Sequence, residues 1–139
     1  MFSNILVPTD LTPKGGKALE IALKVRSEAQ SRISLVHVIE TIDDTEGEEF
    51  EPFYDKLSKR ASLKMDEIIG RMESGEGNIH THILFGNRVR EIVRFAREHE
   101  VDLIVLNSHR IEKAEPGDGW ATISYRVAIL AHCPVLIVK

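Results

Sequence analysis

Cysteine is almost missing from this chain of 139 residues. Cys133 stands alone, so no intramolecular disulfide can form, which fits a reducing, cytoplasmic compartment. Long apolar runs are missing too. None approaches the roughly 20 residues that span a bilayer, so no membrane partner is expected. The opening residues, Met1-Phe-Ser-Asn-Ile-Leu-Val-Pro8, lack both a basic region and a long apolar one, so they do not read as a signal peptide. An excess of positive charge is also wanting: 18 Lys and Arg face 22 Asp and Glu. That balance argues against the basic footprint of a nucleic-acid binder.

Aromatics make up 6% of the residues and hydrophobic residues 42%, a balance typical of one ordinary globular domain with a single core, here taken as residues 1–139. The acidity is local. Residues 41–51 hold six acids and no base, and the rest of the chain carries 18 bases against 16 acids. Such a run reads as a solvated loop, or alternatively as a docking loop for a protein partner.

Strand and helix signals alternate from end to end. Ile5-Leu-Val7 is a short apolar run, closed by Pro8-Thr9-Asp10. Thr12 and Pro13 suit the cap and first position of a helix, whose apolar face is Ala18, Leu19, Ala22, Leu23 and Val25. Ile33 to Ile39 reads as a second buried strand. A long helix is expected from about Phe53 to Met72, with Leu57, Ala61, Met65, Ile68 and Ile69 on one face. In the next strand Ile79, Thr81, Ile83 and Phe85 alternate with His80, His82 and Leu84, which predicts one better-buried face. Gly86-Asn87 turns the chain into a helix striped by Val89, Ile92, Val93 and Ala96, ending near His99. Leu103 to Leu106, Thr122 to Ala131 and Val135 to Val138 supply a strand, a helix and a last strand. Strands alternating with helices predict right-handed crossovers and a parallel sheet covered on both faces, a three-layer α/β/α fold.

In an open parallel sheet, ligands sit beyond the carboxyl ends of the strands, where strand order reverses. Two such ends are polar here: Pro8-Thr9-Asp10 after the first strand and Asn107-Ser108-His109-Arg110 after the fourth. If these strands are neighbours, their ends form one crevice. Asp10 can accept hydrogen bonds from a ribose hydroxyl or a base amino group, or it can fasten its own loop. Thr122, Ile123 and Ser124 open the last helix, where hydroxyls and free N–H groups suit either a cap or a phosphate. Arg110, His109 and Lys113 can bring positive charge there.

Metal and catalytic signals are thin. His80 and His82 share a strand face, but no Cys or acid lies close enough in sequence to complete a metal site. His37 reads as a hydrogen-bonded core histidine and Cys133 as a structural thiol. There is no strained serine elbow, no His-Glu-x-x-His and no complete phosphate loop ending in Gly-Lys-Ser/Thr. A receiver-like phosphoacceptor domain is set aside because the third strand ends in Gly86-Asn87, with no acceptor Asp.

Taken together these residues resemble the universal stress protein family over the full length. Ile5-Leu-Val-Pro-Thr-Asp10 is similar to the family's opening strand with its adenine-contacting acid. Leu35-Val-His-Val-Ile39 is similar to its second strand, and the resemblance sets the backbone near Val38 beside the base. Gly86 with Glu91-Ile92, Asp102-Leu-Ile-Val105 and Cys133-Pro-Val-Leu-Ile-Val138 match later elements. The resemblance implies an adenine-nucleotide-binding, Rossmann-like fold with strand order 3-2-1-4-5. It also implies a homodimer paired through the last strand, Val135, Leu136, Ile137 and Val138.

ATP-binding members of that family carry Gly-x-x-Gly, a spacer, then Gly followed by Ser or Thr. Asn107, Arg110 and Ala121 stand at the matching glycine positions, while Thr122 and Ser124 keep the hydroxyls. Asn tolerates the left-handed region, so Asn107 is expected to keep the turn. Arg110 either fills the phosphate space or binds phosphate itself. The sequence therefore predicts a non-catalytic, dimeric stress-response protein with a weak ATP or AMP crevice. The alternatives are a pure interaction module docking through residues 41–51 and a weak ATP hydrolase using Arg110 and Lys113.

Overall fold

In the computed structural model, the structure describes residues 1–12, 16–41, 50–71, 78–108 and 123–139. Nine elements alternate along them: β1 (Asn4–Pro8), α1 (Gly16–Val25), β2 (Arg32–Glu40), α2 (Glu51–Gly70), β3 (Asn78–Gly86), α3 (Arg88–Glu98), β4 (Leu103–Asn107), α4 (Ile123–Leu130) and β5 (Val135–Val138). The five strands form one sheet in the order β3-β2-β1-β4-β5, and every pairing is parallel. Ile5 and Leu6 of β1 stand opposite Leu103 and Ile104 of β4. The chain winds outward from β1 to β3, then returns to the other side of β1. The strand order thus reverses between β1 and β4.

Successive side chains of a strand point to opposite faces, and the core divides accordingly. Ile5 and Val7 join Ala18, Leu19, Ala22, Met65 and Ile68 on the face covered by α1 and α2. Leu6 joins Val89, Ile92, Phe95, Ala96 and Val127 on the face covered by α3 and α4. The central strands therefore have no solvent face, which is why β1, β2 and β4 read as near-continuous apolar runs.

Local chemistry sets the ends. The side chain of Asn87 accepts a hydrogen bond from the Arg90 N–H at 3.0 Å and caps α3. Glu91 in the first turn and Arg97 in the last complement the helix dipole. Gly86 has φ of 145°, and a Cβ there would meet the Glu91 side chain at 3.0 Å, so glycine is required at this turn. At the start of the sheet, Asp102 accepts hydrogen bonds from the N–H and hydroxyl of Ser3 at 2.9 and 3.1 Å, fastening β1 to the entry of β4.

Two local expectations change. Helix α2 starts at Glu51, two residues earlier than expected, with Pro52 in its first turn. Strand β3 has no well-buried face: Thr81 and Phe85 are exposed, whereas Ile79, His82, Ile83 and Leu84 are half-buried. The cause is its place at the sheet edge, partly covered by α2 on one side and α3 on the other. Within the described residues α1 begins at Gly16, and the Thr12 hydroxyl donates to Asp10 at 2.6 Å. Pro13, Met72 and Thr122 lie outside the described residues, as do residues 42–49 of the acidic run.

Candidate functional site

The reversal of strand order opens a crevice of ≈ 370 Å³ between the carboxyl ends of β1 and β4. Pro8, Thr9 and Asp10 line it from β1, Val36 and Val38 from β2, Arg88 and Ile92 from α3, Leu106, Asn107 and Ser108 from β4, and Ile123 and Ser124 from α4. Its depth is apolar: Val36, Val38, Ile92 and Leu106 are all buried. Its rim is polar, carrying among the described residues one carboxylate, one guanidinium, an amide and hydroxyls. A flat apolar ring with polar edges fits such a slot, because the walls exclude water while the rim fixes orientation.

The loop bearing Asp10 is held from both sides. The Thr9 N–H donates to the Val36 carbonyl at 2.8 Å, and the Thr9 carbonyl lies 2.9 Å from His37 Nδ1. The Thr9 hydroxyl accepts from the Leu11 N–H at 3.1 Å, and Asp10 Oδ1 accepts from the Thr12 N–H at 2.9 Å. These contacts tie the chain down tightly enough to hold Leu11 at φ of 66°, a left-handed conformation that costs a non-glycine residue about 1–2 kcal/mol. Strain of this kind concentrates where a loop is shaped for a ligand. Asp10 itself is exposed, so it both builds the turn and faces the crevice mouth.

On the opposite wall, Asn107 pairs with Val138 in the sheet and the Ser108 N–H donates to the Val138 carbonyl at 2.8 Å. Ser124 is buried, and its hydroxyl donates to that of Ser108 at 3.3 Å. The two serines thereby join the end of β4 to the start of α4. The expectation that Asn107 sustains a left-handed turn is corrected. Leu11 and Glu100 are the non-glycine residues with positive φ among the described residues. Asn107 is instead the last residue of a strand, where register with Val138 holds the backbone extended.

Eight of the residues singled out in the sequence, Pro8, Thr9, Asp10, Val38, Asn107, Ser108, Ile123 and Ser124, line this one crevice. His109, Arg110 and Thr122 lie outside the described residues, as do Lys113 and Ala121. Sequence reading missed Val36, Arg88, Ile92 and Leu106. The three aliphatics are ordinary core positions that happen to face the crevice. Arg88 follows the Asn87 cap, and the α3 N-terminus carries it to the rim; the Gly-Asn turn was the available signal.

The other reactive groups serve packing. Burial holds His37 below its ordinary range, the Thr9 carbonyl opposes that, and the Arg88 charge adds to it. Burial likewise lowers His82, aided by the charge of His99. His82 lies edge-on to Phe95, with ring centres 4.9 Å apart, and His99 stacks on the same ring at 3.8 Å. Cys133 is half-buried against the α3 and α4 face, and burial pushes its thiol up, as suits an inert side chain. No helix among the described residues is long and apolar enough to cross a membrane.

Comparison with known proteins agrees with this architecture. The model of the Universal stress protein family matches residues 1–139. Universal stress protein YxiE of Bacillus subtilis is 29% identical over 150 residues, covering the whole of both chains. The solved structure of MJ0577 from Methanocaldococcus jannaschii is 28% identical and superimposes with a TM-score of 0.81, over 100% of this chain and 96% of that one. A universal stress protein from Archaeoglobus fulgidus, solved in complex with dAMP, shares the fold at a TM-score of 0.59 and 19% identity, over 99% and 98% of the two chains. With a match running from the first residue to the last, the chain belongs to the universal stress protein family.

Proposed function

We propose that the protein binds an adenine nucleotide, ATP or AMP, in the crevice between β1 and β4 and acts through binding rather than turnover. The observation that carries this reading is the meeting of Asp10 with Asn107 and Ser108 across a slot walled by Val36, Val38, Ile92 and Leu106. An adenine ring between those aliphatic walls would present its amino edge, or the ribose hydroxyls, to Asp10. The sugar and phosphate would then run toward Ser108 and Ser124, where the positive end of the α4 dipole favours an anion. The same fold holds dAMP in the Archaeoglobus fulgidus protein. Asp10 is the one carboxylate among the described crevice residues, and Thr12 already occupies its Oδ1, which favours binding over base catalysis. Titration calorimetry with ATP, AMP and a cyclic adenine nucleotide tests this. Heat is expected with at least one of them, and none at millimolar ligand would remove any nucleotide role.

The same reading makes the protein a homodimer paired through β5. Strand β5 ends the sheet, and Leu136 remains exposed there, as do Tyr125, Ile129 and Leu130 of α4. An apolar edge with no further strand beside it among the described residues is open to a second copy. Light scattering on the intact chain and on Leu136→Asp tests the pairing. A dimer that becomes monomeric on substitution supports it, and a monomeric parent chain overturns it.

A further inference from the structure

A second crevice of ≈ 370 Å³ lies on the α2 side of the same strand ends. Leu57 and Ala61 of α2 and Ile39 of β2 line it with aliphatic side chains, and Val38 borders it. Three cations, Arg60, Lys64 and Arg88, also line it. Arg60 and Lys64 stand four residues apart on α2, so they share one face and repel each other. Arg88 approaches from α3, on the other side of the sheet. Among the described residues none of the three forms a hydrogen bond or ion pair, whereas Arg94 is paired with Glu91 at 3.4 Å. Asp10 and Glu40 are the acids lining the crevice, and the Thr12 contacts engage Asp10. The electrostatic convergence is felt at His37, where the charges of Arg88 and Lys64 oppose protonation and that of Asp10 favours it.

We propose that this second crevice binds a small phosphate-class anion, held by Arg60, Lys64 and Arg88. Like charges converging from separate elements are mutually unfavourable until an anion lies between them. Two guanidinium groups and an ammonium offer the forked and point-charge contacts that phosphate oxygens accept. The site does not require a nucleotide in the first crevice. Arg60 and Lys64 do not line that crevice, whereas Arg88, Asp10 and Val38 line both. The anion is therefore either free or an additional arm of a nucleotide whose base occupies the first crevice.

His37 is a built-in reporter, because an anion beside it favours the protonated ring and raises its titration midpoint. The experiment follows the His37 ring by NMR while inorganic pyrophosphate is added to the intact protein, with and without AMP. The expected result is an upward shift of the His37 midpoint with pyrophosphate alone. In R60Q/K64Q, exposed helix positions whose fold is checked by circular dichroism, binding should weaken about tenfold or more. If AMP abolishes the pyrophosphate effect and itself shifts His37 in the parent chain but not in R60Q/K64Q, the anion is the nucleotide's own. If the pyrophosphate effect persists beside AMP, the anion is free. No response at His37, an equal response in R60Q/K64Q, or a response confined to Ser108 and Ser124 would overturn the proposal.

Discussion

His37 Nδ1 lies 2.9 Å from the carbonyl oxygen of Thr9, joining the middle of β2 to the loop that carries Asp10. Neutral imidazole with its proton on Nδ1 donates this bond. The ring is half-buried, and desolvation, set against the stabilising carbonyl, lowers its pKa from 6.5.

A pH dependence of stability follows. His37 and His82 both titrate lower in the folded protein than their ordinary value of 6.5, so the unfolded chain binds these protons first. Their contribution is complete above pH 6.5 and is lost as pH falls through the folded-state values. Urea unfolding should therefore show lower stability at about pH 5.5 than at about pH 7.5, and the difference should shrink in His37→Leu/His82→Leu. An unchanged difference would place the pH dependence elsewhere.

Gly86→Ala should destabilise the fold by about 1–3 kcal/mol, because alanine must adopt a strained φ or move the chain. The observed φ is 145°, and the added Cβ meets Glu91 Cγ and Oε1, each at 3.0 Å. The next residues are the Asn87 cap and Arg88, so the strain falls on the rim of the crevice. Thermal unfolding measures the loss, and a melting temperature within error of the parent would show that the turn relaxes freely.

Glu100→Gly should act in the opposite direction. Glu100 follows α3 with φ of 54°, and the Val101 N–H closes back on the Ala96 carbonyl at 2.9 Å. This is the helix ending in which a left-handed residue is required and glycine is favoured. Relief of strain, less the entropy glycine adds to the unfolded chain, leaves about 0.5–1 kcal/mol of stabilisation. Chemical denaturation of the two proteins compares them directly, and a destabilised Glu100→Gly would contradict the strain argument.

The central fold was legible because burial writes itself into composition. Ile5 to Val7, Leu35 to Ile39 and Leu103 to Leu106 have no polar side, apart from His37, and they form the three inner strands. Strand β3 was read less well, since an edge strand keeps solvent on parts of both faces and its alternation means little. The crevice was half legible. Asp10, Asn107, Ser108 and Ser124 announce themselves as polar residues at strand and helix ends. Val36, Ile92 and Leu106 do not, because an aliphatic wall and a core position are the same residue to a sequence. Arg60, Lys64 and Arg88 come together only through the packing of α2 and α3 around β2, 24 to 28 residues apart along the chain between α2 and Arg88.

Asp10 has two separable roles, and two substitutions divide them. Its Oδ1 accepts from the N–H and the hydroxyl of Thr12 at 2.9 and 2.6 Å, and its exposed carboxylate faces the crevice. Asp10→Ala removes both functions, and the loss of the turn should cost about 1 kcal/mol of stability along with nucleotide affinity. Asp10→Asn retains a carbonyl acceptor for Thr12, so the melting temperature should stay near that of the parent. It replaces a charged acceptor with a neutral one, and adenine-nucleotide affinity should fall about tenfold. Calorimetric titration of AMP into both variants, beside their unfolding curves, separates the roles. Full affinity in a stable Asp10→Asn would leave Asp10 as a turn residue alone.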